Sequence, residues 1–220
     1  MDEYIIKLSN ISKCYSKKLI LDNISLNLKK GLVYGFTGNN GSGKSLLFKI
    51  ICGFSKPTKG TVEINLKKMG SEIDFIEDSG ILIENPEFIP SLNGFENLKM
   101  LAEINNTIND IDIFNALKKL GLDPQSKLKV GKYSLGMKQR LRIAQAIMEK
   151  PSILILDEPM NGLDKDGVEL IFELIKKEKE KGTTILLTSH IKDDINILCD
   201  EIFNLDCGML TYKKKIMAEK

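Results

Sequence analysis

Residues 33–45 read VYGFTGNNGSGKS, a short apolar run followed by eight residues of which the last two are lysine and serine. Positions 38–45 satisfy the pattern G-x-x-x-x-G-K-[ST] at a strand-to-helix junction, the context that the pattern requires. Glycine lets the backbone bend so that successive N–H groups face phosphate oxygens. A helix starting near Lys44 adds the positive end of its dipole. Gly38, Asn39, Asn40, Gly41, Ser42, Gly43, Lys44 and Ser45 are therefore read as a phosphate cradle. Lys44 is expected to reach the β- and γ-phosphates of a nucleotide, and the Ser45 hydroxyl to coordinate Mg²⁺.

A second element agrees with the first. In SILILDEP, residues 152–159, four apolar residues carry two carboxylates to the C-terminal end of a buried strand. Ligands of parallel α/β sheets bind at that edge. Asp157 is expected to hold the magnesium, directly or through water. Glu158, one residue on, is placed to polarise the attacking water.

Working outward, Ile24, Leu26 and Leu28 alternate with polar neighbours at period 2, and residues 3–37 read as a group of strands. Leu46, Leu47, Ile50 and Ile51 have helical spacing, with Gly53 as a stop. PTKG at 57–60 reads as a turn and Thr61–Leu66 as another alternating strand. Between about 86 and 149 helical periodicity takes over, around Phe95–Ile104, Ile113–Leu120 and Leu135–Met148. Strand and helix then alternate again: SILILDEP, a helix at about Asp166–Lys181, the strand TTILLTSH, a short helix near Asp193–Leu198, and two strands around Cys207–Gly208. The expected fold is α/β, a single domain whose parallel-sheet core spans about 1–85 and 150–220, with a helical subdomain inserted at about 86–149.

The totals narrow the classes. The chain of 220 residues is 42% hydrophobic and 28% charged with a net charge of +2, which does not point to a nucleic-acid polyanion as partner. Cys14, Cys52, Cys199 and Cys207 form no CxxC pair and read as free thiols in a reducing compartment. MDEYIIKL has no hydrophobic signal core, and no apolar run approaches the ~20 residues of a membrane span. A cytoplasmic chain is expected, and if it serves a membrane the spanning parts lie on another chain.

Between the loop and the carboxylate strand lies KYSLGMKQRLRIAQAI, residues 132–147. With GNNGSGKS and ILILDEP, it resembles the nucleotide-binding subunits of ATP-binding cassette (ABC) transporters along essentially the whole chain. The resemblance implies a P-loop NTPase core, an N-terminal antiparallel β subdomain and a helical subdomain. It also implies ATP and Mg²⁺ as ligands, and a homodimer or heterodimer of cassettes that sandwiches two ATP molecules. Integral membrane permease subunits on separate chains would be the partners, placing the chain on the inner face of the cell membrane.

By the same resemblance YSLGM is the signature, departing from the usual LSGGQ at Tyr133, Leu135 and Met137. Ser134 and Gly136 remain to touch the γ-phosphate of the partner's nucleotide, and Ser134 is also a good helix N-cap. Tyr15 matches the aromatic that stacks on adenine. NGLD at 161–164 matches the segment crossing the dimer interface, with Asp164 as its key carboxylate. His190, the chain's one histidine, matches the switch residue at the γ-phosphate. Glu84 stands where the family generally has glutamine, joining the core to the helical lobe and meeting Mg²⁺ and water, and a carboxylate still serves a hard cation. IENPEF and YSLGM resemble the branch associated with bacitracin-type resistance and lantibiotic immunity export. The expected function is an ATPase that powers export. The alternatives weighed are a soluble cassette ATPase acting on nucleic acid and one driving assembly of another complex.

Overall fold

The computed structural model describes residues 4–16, 18–84, 86–189 and 192–215. Two long strands, β1 (Tyr4–Tyr15) and β2 (Lys18–Lys29), open an antiparallel sheet that continues through β4 (Lys59–Ile64) and β5 (Lys67–Lys68). Its order is β2-β1-β4-β5. The period-2 reading holds: Ile24, Leu26 and Leu28 are all buried. The strand expected at Thr61–Leu66 is displaced by two residues. Asn65 and Leu66 both have positive φ, 49° and 67°, and form the turn into β5. Leu66 continues the alternation of Val62 and Ile64, yet it is 78% exposed because a two-residue hairpin of right-handed twist claims it.

The second sheet has the order β10-β9-β3-β8-β7-β6. Its strands are β3 (Val33–Thr37), β6 (Ser79–Leu82), β7 (Ile153–Leu156), β8 (Thr184–Thr188), β9 (Glu201–Asp206) and β10 (Met209–Lys215). All pairs are parallel except β9 with β10. Both faces of this sheet are covered, which is why ILIL and TILL read as unbroken apolar runs. In β7, Ile153 and Ile155 join the core shared with the antiparallel sheet, and Leu154 and Leu156 the core shared with the helices. Strand β6 carries no assignment in the sequence reading, since four residues are too few to show a period.

Helix α1 (Lys44–Ile51) follows β3 directly. Phe48 on α1 meets Phe36 of β3 edge-on at 5.2 Å between ring centres, which seats the helix on the strand that launches it. The inserted lobe contains α2 (Gly94–Asn105), α3 (Asp110–Lys119) and α4 (Leu135–Ile147). Asn93 with Glu96 and Asn109 with Asp112 form capping boxes that start α2 and α3. Helix α5 (Lys165–Glu180) precedes β8, and α6 (Lys192–Leu198) precedes β9.

Helix α4 returns from the lobe to lie against β6. A side chain at Gly80 of β6 would place its Cβ 1.8 Å from the Ala146 carbonyl oxygen, so only glycine permits this approach. All four cysteines are free, as read; burial pushes the Cys52 thiol up to about 12.

Candidate functional site

The parallel strands deliver the site to one sheet edge. β3 ends in the glycine loop, β7 in Asp157 and Glu158, and β8 in Thr188, while Glu84 follows β6 by two residues. A cavity of about 520 Å³ opens there, lined among others by Tyr15, Gly43, Lys44, Ser45, Asp157 and Glu158.

The loop's shape is set by contacts that exclude side chains. Gly38 has φ +146°, and a Cβ on it would stand 2.1 Å from the Leu205 carbonyl oxygen of β9. Gly43, the residue before α1, is left-handed and offers no side-chain cap, so the first N–H groups of the helix meet no capping oxygen. Lys44 is buried and lies across its own loop, donating to the carbonyls of Gly38 at 2.8 Å and Asn39 at 3.1 Å. Ser42 Oγ is buried without a hydrogen-bond partner among the described residues. Uncapped N–H groups, a lysine and an unsatisfied hydroxyl fit an oxyanion.

The carboxylates sit beside this loop. Ser45 Oγ donates to Asp157 Oδ2 at 2.5 Å, and Thr188 Oγ1 donates to Asp157 Oδ1 at 2.7 Å. The Glu158 N–H donates to the same Thr188 oxygen at 2.7 Å. Glu158 itself is left-handed, with φ 51°. No cluster of three or more His, Cys, Asp or Glu among the described residues could hold a metal alone. A hydroxyl and a carboxylate beside a phosphate loop nevertheless suit magnesium, which keeps waters and substrate oxygens in its shell.

Glu84 borders the cavity in a left-handed conformation, and its carboxylate pairs with Lys49 in the last turn of α1. Tyr15 is 52% exposed at the cavity rim, with Lys13 Nζ 4.9 Å above its ring centre. Ser134 caps α4 as the sequence suggests, accepting from the Met137 N–H at 3.1 Å. Asp164 caps α5 by accepting from the Gly167 N–H at 2.9 Å. Within this one chain Ser134 and Gly136 do not line the cavity. Leu135 covers Gly162, and Gly136 packs near the Gly162 carbonyl, so the signature and NGLD segments adjoin. His190 lies outside the described residues.

The departures in YSLGM have structural homes. Tyr133 is buried in the core that the helices share with the parallel sheet, and burial raises its pKa. Leu135 is 65% exposed. Sequence reasoning missed three residues. Thr188 is the one hydroxyl among the buried side chains of β8 from Ile185 on, and that contrast was its signal. Lys49 stands one helical turn after Ser45. Gln139 is a buried amide on the apolar face of α4, donating to the Pro159 carbonyl at 3.0 Å. Arg142 in turn donates to Gln139 Oε1 at 3.3 Å, and burial lowers its pKa while Glu87 opposes that shift.

Residues 21–161 match the family model described as "ABC transporter". This chain belongs to the ABC transporter family. It is 42% identical over 216 residues to an uncharacterized ABC transporter ATP-binding protein, YybJ, of Bacillus subtilis (strain 168), covering 98% of this chain and 99% of that one. It is 38% identical to the bacitracin transport ATP-binding protein BcrA of Enterococcus faecalis, covering 97% and 70% of the two chains. Identity to the lantibiotic transport ATP-binding protein SrtF of Streptococcus pyogenes is 37%, over 98% and 90%. Among solved structures, a dimeric ATP-binding cassette in a post-hydrolysis state with ADP and Pi superposes with a TM-score of 0.86. It is 27% identical, over 97% of this cassette and 100% of that chain. No helix among the described residues of this ABC cassette is long and apolar enough to cross a membrane.

Proposed function

We propose that this cassette binds and hydrolyses ATP as one of two ATP-binding subunits that drive an exporter of peptide antibiotics. The observation that carries the reading is the meeting of Lys44, Ser45, Asp157 and Glu158 at one cavity. Lys44 exchanges its loop carbonyls for the β- and γ-phosphates, and Gly38–Gly43 present backbone N–H groups to them. Ser45 and Asp157 hold magnesium, with Glu84 as a third oxygen donor. Magnesium, when bound, neutralises charge on the phosphates. Glu158 orients and polarises the attacking water. Tyr15 stacks on the adenine, and His190 contacts the γ-phosphate.

Ser134 and Gly136 face the nucleotide of a second cassette, identical or not, with Asp164 at the interface between them. Residues 86–149 act as one lobe that passes movement to permease subunits on other chains. A cavity of about 190 Å³ lined by Pro86, Glu87, Phe88, Pro90, Lys138 and Arg142 supports a docking place there. The peptide-antibiotic substrate and the outward direction rest on the bacitracin and lantibiotic transport relatives. A cytoplasmic site at the inner membrane face follows from that partnership.

Glu158→Gln tests the chemistry. ATP should still bind, while turnover falls by about 10²–10⁴-fold and dimer accumulates; unchanged steady-state hydrolysis removes the role given to Glu158. For the partnership, the tagged chain is isolated from gently solubilised native membranes. A stoichiometric multi-span protein is expected, and recovery of soluble proteins or nucleic acid alone overturns the transport reading.

A further inference from the structure

We propose that Thr188 is a positioning residue for hydrolysis, its hydroxyl locking both the Asp157 carboxylate and the Glu158 backbone. This deepens the reading above and rests on its assignment of Asp157 and Glu158. Strands β7 and β8 run parallel with Leu156 opposite Leu187, so the register sets Thr188 beside the first residue past β7. Thr188 is 0% exposed, where a hydroxyl must find partners inside the protein. It finds two of opposite kind. It donates to Asp157 Oδ1 and accepts from the Glu158 N–H, each at 2.7 Å.

The consequences differ at the two residues. Asp157 has its other oxygen on Ser45, so the two hydroxyls fix the plane of the carboxylate from opposite sides. Without Thr188 the carboxylate is pinned at one oxygen and turns about its Cβ–Cγ bond. Glu158 adopts φ 51°, a region that non-glycine residues hold only where the surroundings fix it. The bond to Thr188 is one such fixing contact, made at the residue's own N–H. One side chain therefore sets the angle of the proposed metal ligand and the origin of the proposed water-polarising arm. Neither valine nor alanine supplies both a donor and an acceptor there, whereas serine does.

The test uses the full chain with Thr188→Val, which keeps the shape, and Thr188→Ser, which keeps the hydroxyl. Thr188→Val should lower kcat by about 10–100-fold, the range for partners that orient metal ligands, with little change in KM for ATP. Binding of a fluorescent ATP analogue by Thr188→Val should need about tenfold more Mg²⁺, and Thr188→Ser should behave like the unaltered chain in both assays. In the unaltered chain the Glu158 amide should exchange slowly with deuterium, and this holds as a test even where Thr188→Val does not fold. Wild-type turnover in Thr188→Val, equal impairment of the valine and serine variants, or rapid exchange at the Glu158 amide overturns the proposal. Glu158→Gln separates the two readings. If it retains turnover, the assignment of Glu158 fails; if it is inactive while Thr188→Val is fully active, the inference about Thr188 fails alone.

Discussion

The N-termini of α1 and α4 are the two helix ends that the proposed mechanism aims at phosphate, and they are finished differently. At α1 no side chain caps the helix, the preceding glycine is left-handed, and Lys44 folds back onto loop carbonyls. At α4 Ser134 already closes the end by accepting from Met137. The first end is built to receive a ligand from its own sheet edge, because no side-chain oxygen caps its N–H groups. The second is a complete helix end that stands without a ligand. It still suits a partner's nucleotide, since a serine oxygen that accepts from the backbone keeps its O–H to donate.

The largest effect that sharpens this contrast is Lys44→Ala. Loss of charge-assisted bonds at about 1.5–3 kcal/mol should weaken ATP binding by the isolated chain by roughly 10- to 100-fold. Titration with a fluorescent nucleotide reads it, and undiminished affinity would mean that Lys44 serves the loop rather than the ligand. Ser134 separates capping from contact. Alanine there should cost about 1 kcal/mol of stability, and glycine only a few tenths. Both should reduce hydrolysis while leaving monomer binding alone. If the glycine variant hydrolyses ATP normally, Ser134 is a cap and nothing more.

The smallest effect belongs to the Lys49–Glu84 pair, whose side chains are 32% and 66% exposed. A double-mutant cycle with Lys49→Gln and Glu84→Gln should give a stability coupling under about 1 kcal/mol, because solvent screens the pair. Turnover is the informative reading here. If the cavity holds phosphates as proposed, Lys49 would offset the charge that Glu84 brings beside them. Lys49→Gln should therefore slow hydrolysis in the native background and matter less once Glu84→Gln has removed that charge. Equal effects in both backgrounds would uncouple the two residues.

Most of the fold was legible because its signals are local and periodic: the glycine loop, the apolar run before Asp157, and the helical spacing of the lobe. The turn at Asn65–Leu66 was not, since an exposed leucine there continues the strand's alternation. The loop lysine and the two carboxylates were legible as residue types at fixed spacing. Thr188 showed only as a hydroxyl in an apolar strand, and the roles of Thr188, Lys49 and Gln139 were not legible, because each matters through a neighbour far along the chain: Asp157, Glu84 and Pro159. Sheet register and helix packing create those neighbours, and no window of sequence contains both partners. Asp164 shows the converse, since the residue singled out for a contact between chains already has a partner within its own helix.

Gly80 carries a consequence beyond packing. Its bare α-carbon is a gauge block: the thickness of one absent methyl group sets how closely the last turn of α4 sits on the sheet that holds the phosphate loop. In a dimer that clamps nucleotide between these two parts, the gap to be spanned is a dimension of the single chain. One end of the helix that carries the signature is seated at a strand that contributes no side chain to the ligand, so part of the clamp's tolerance would be inherited from a position where there is nothing to touch.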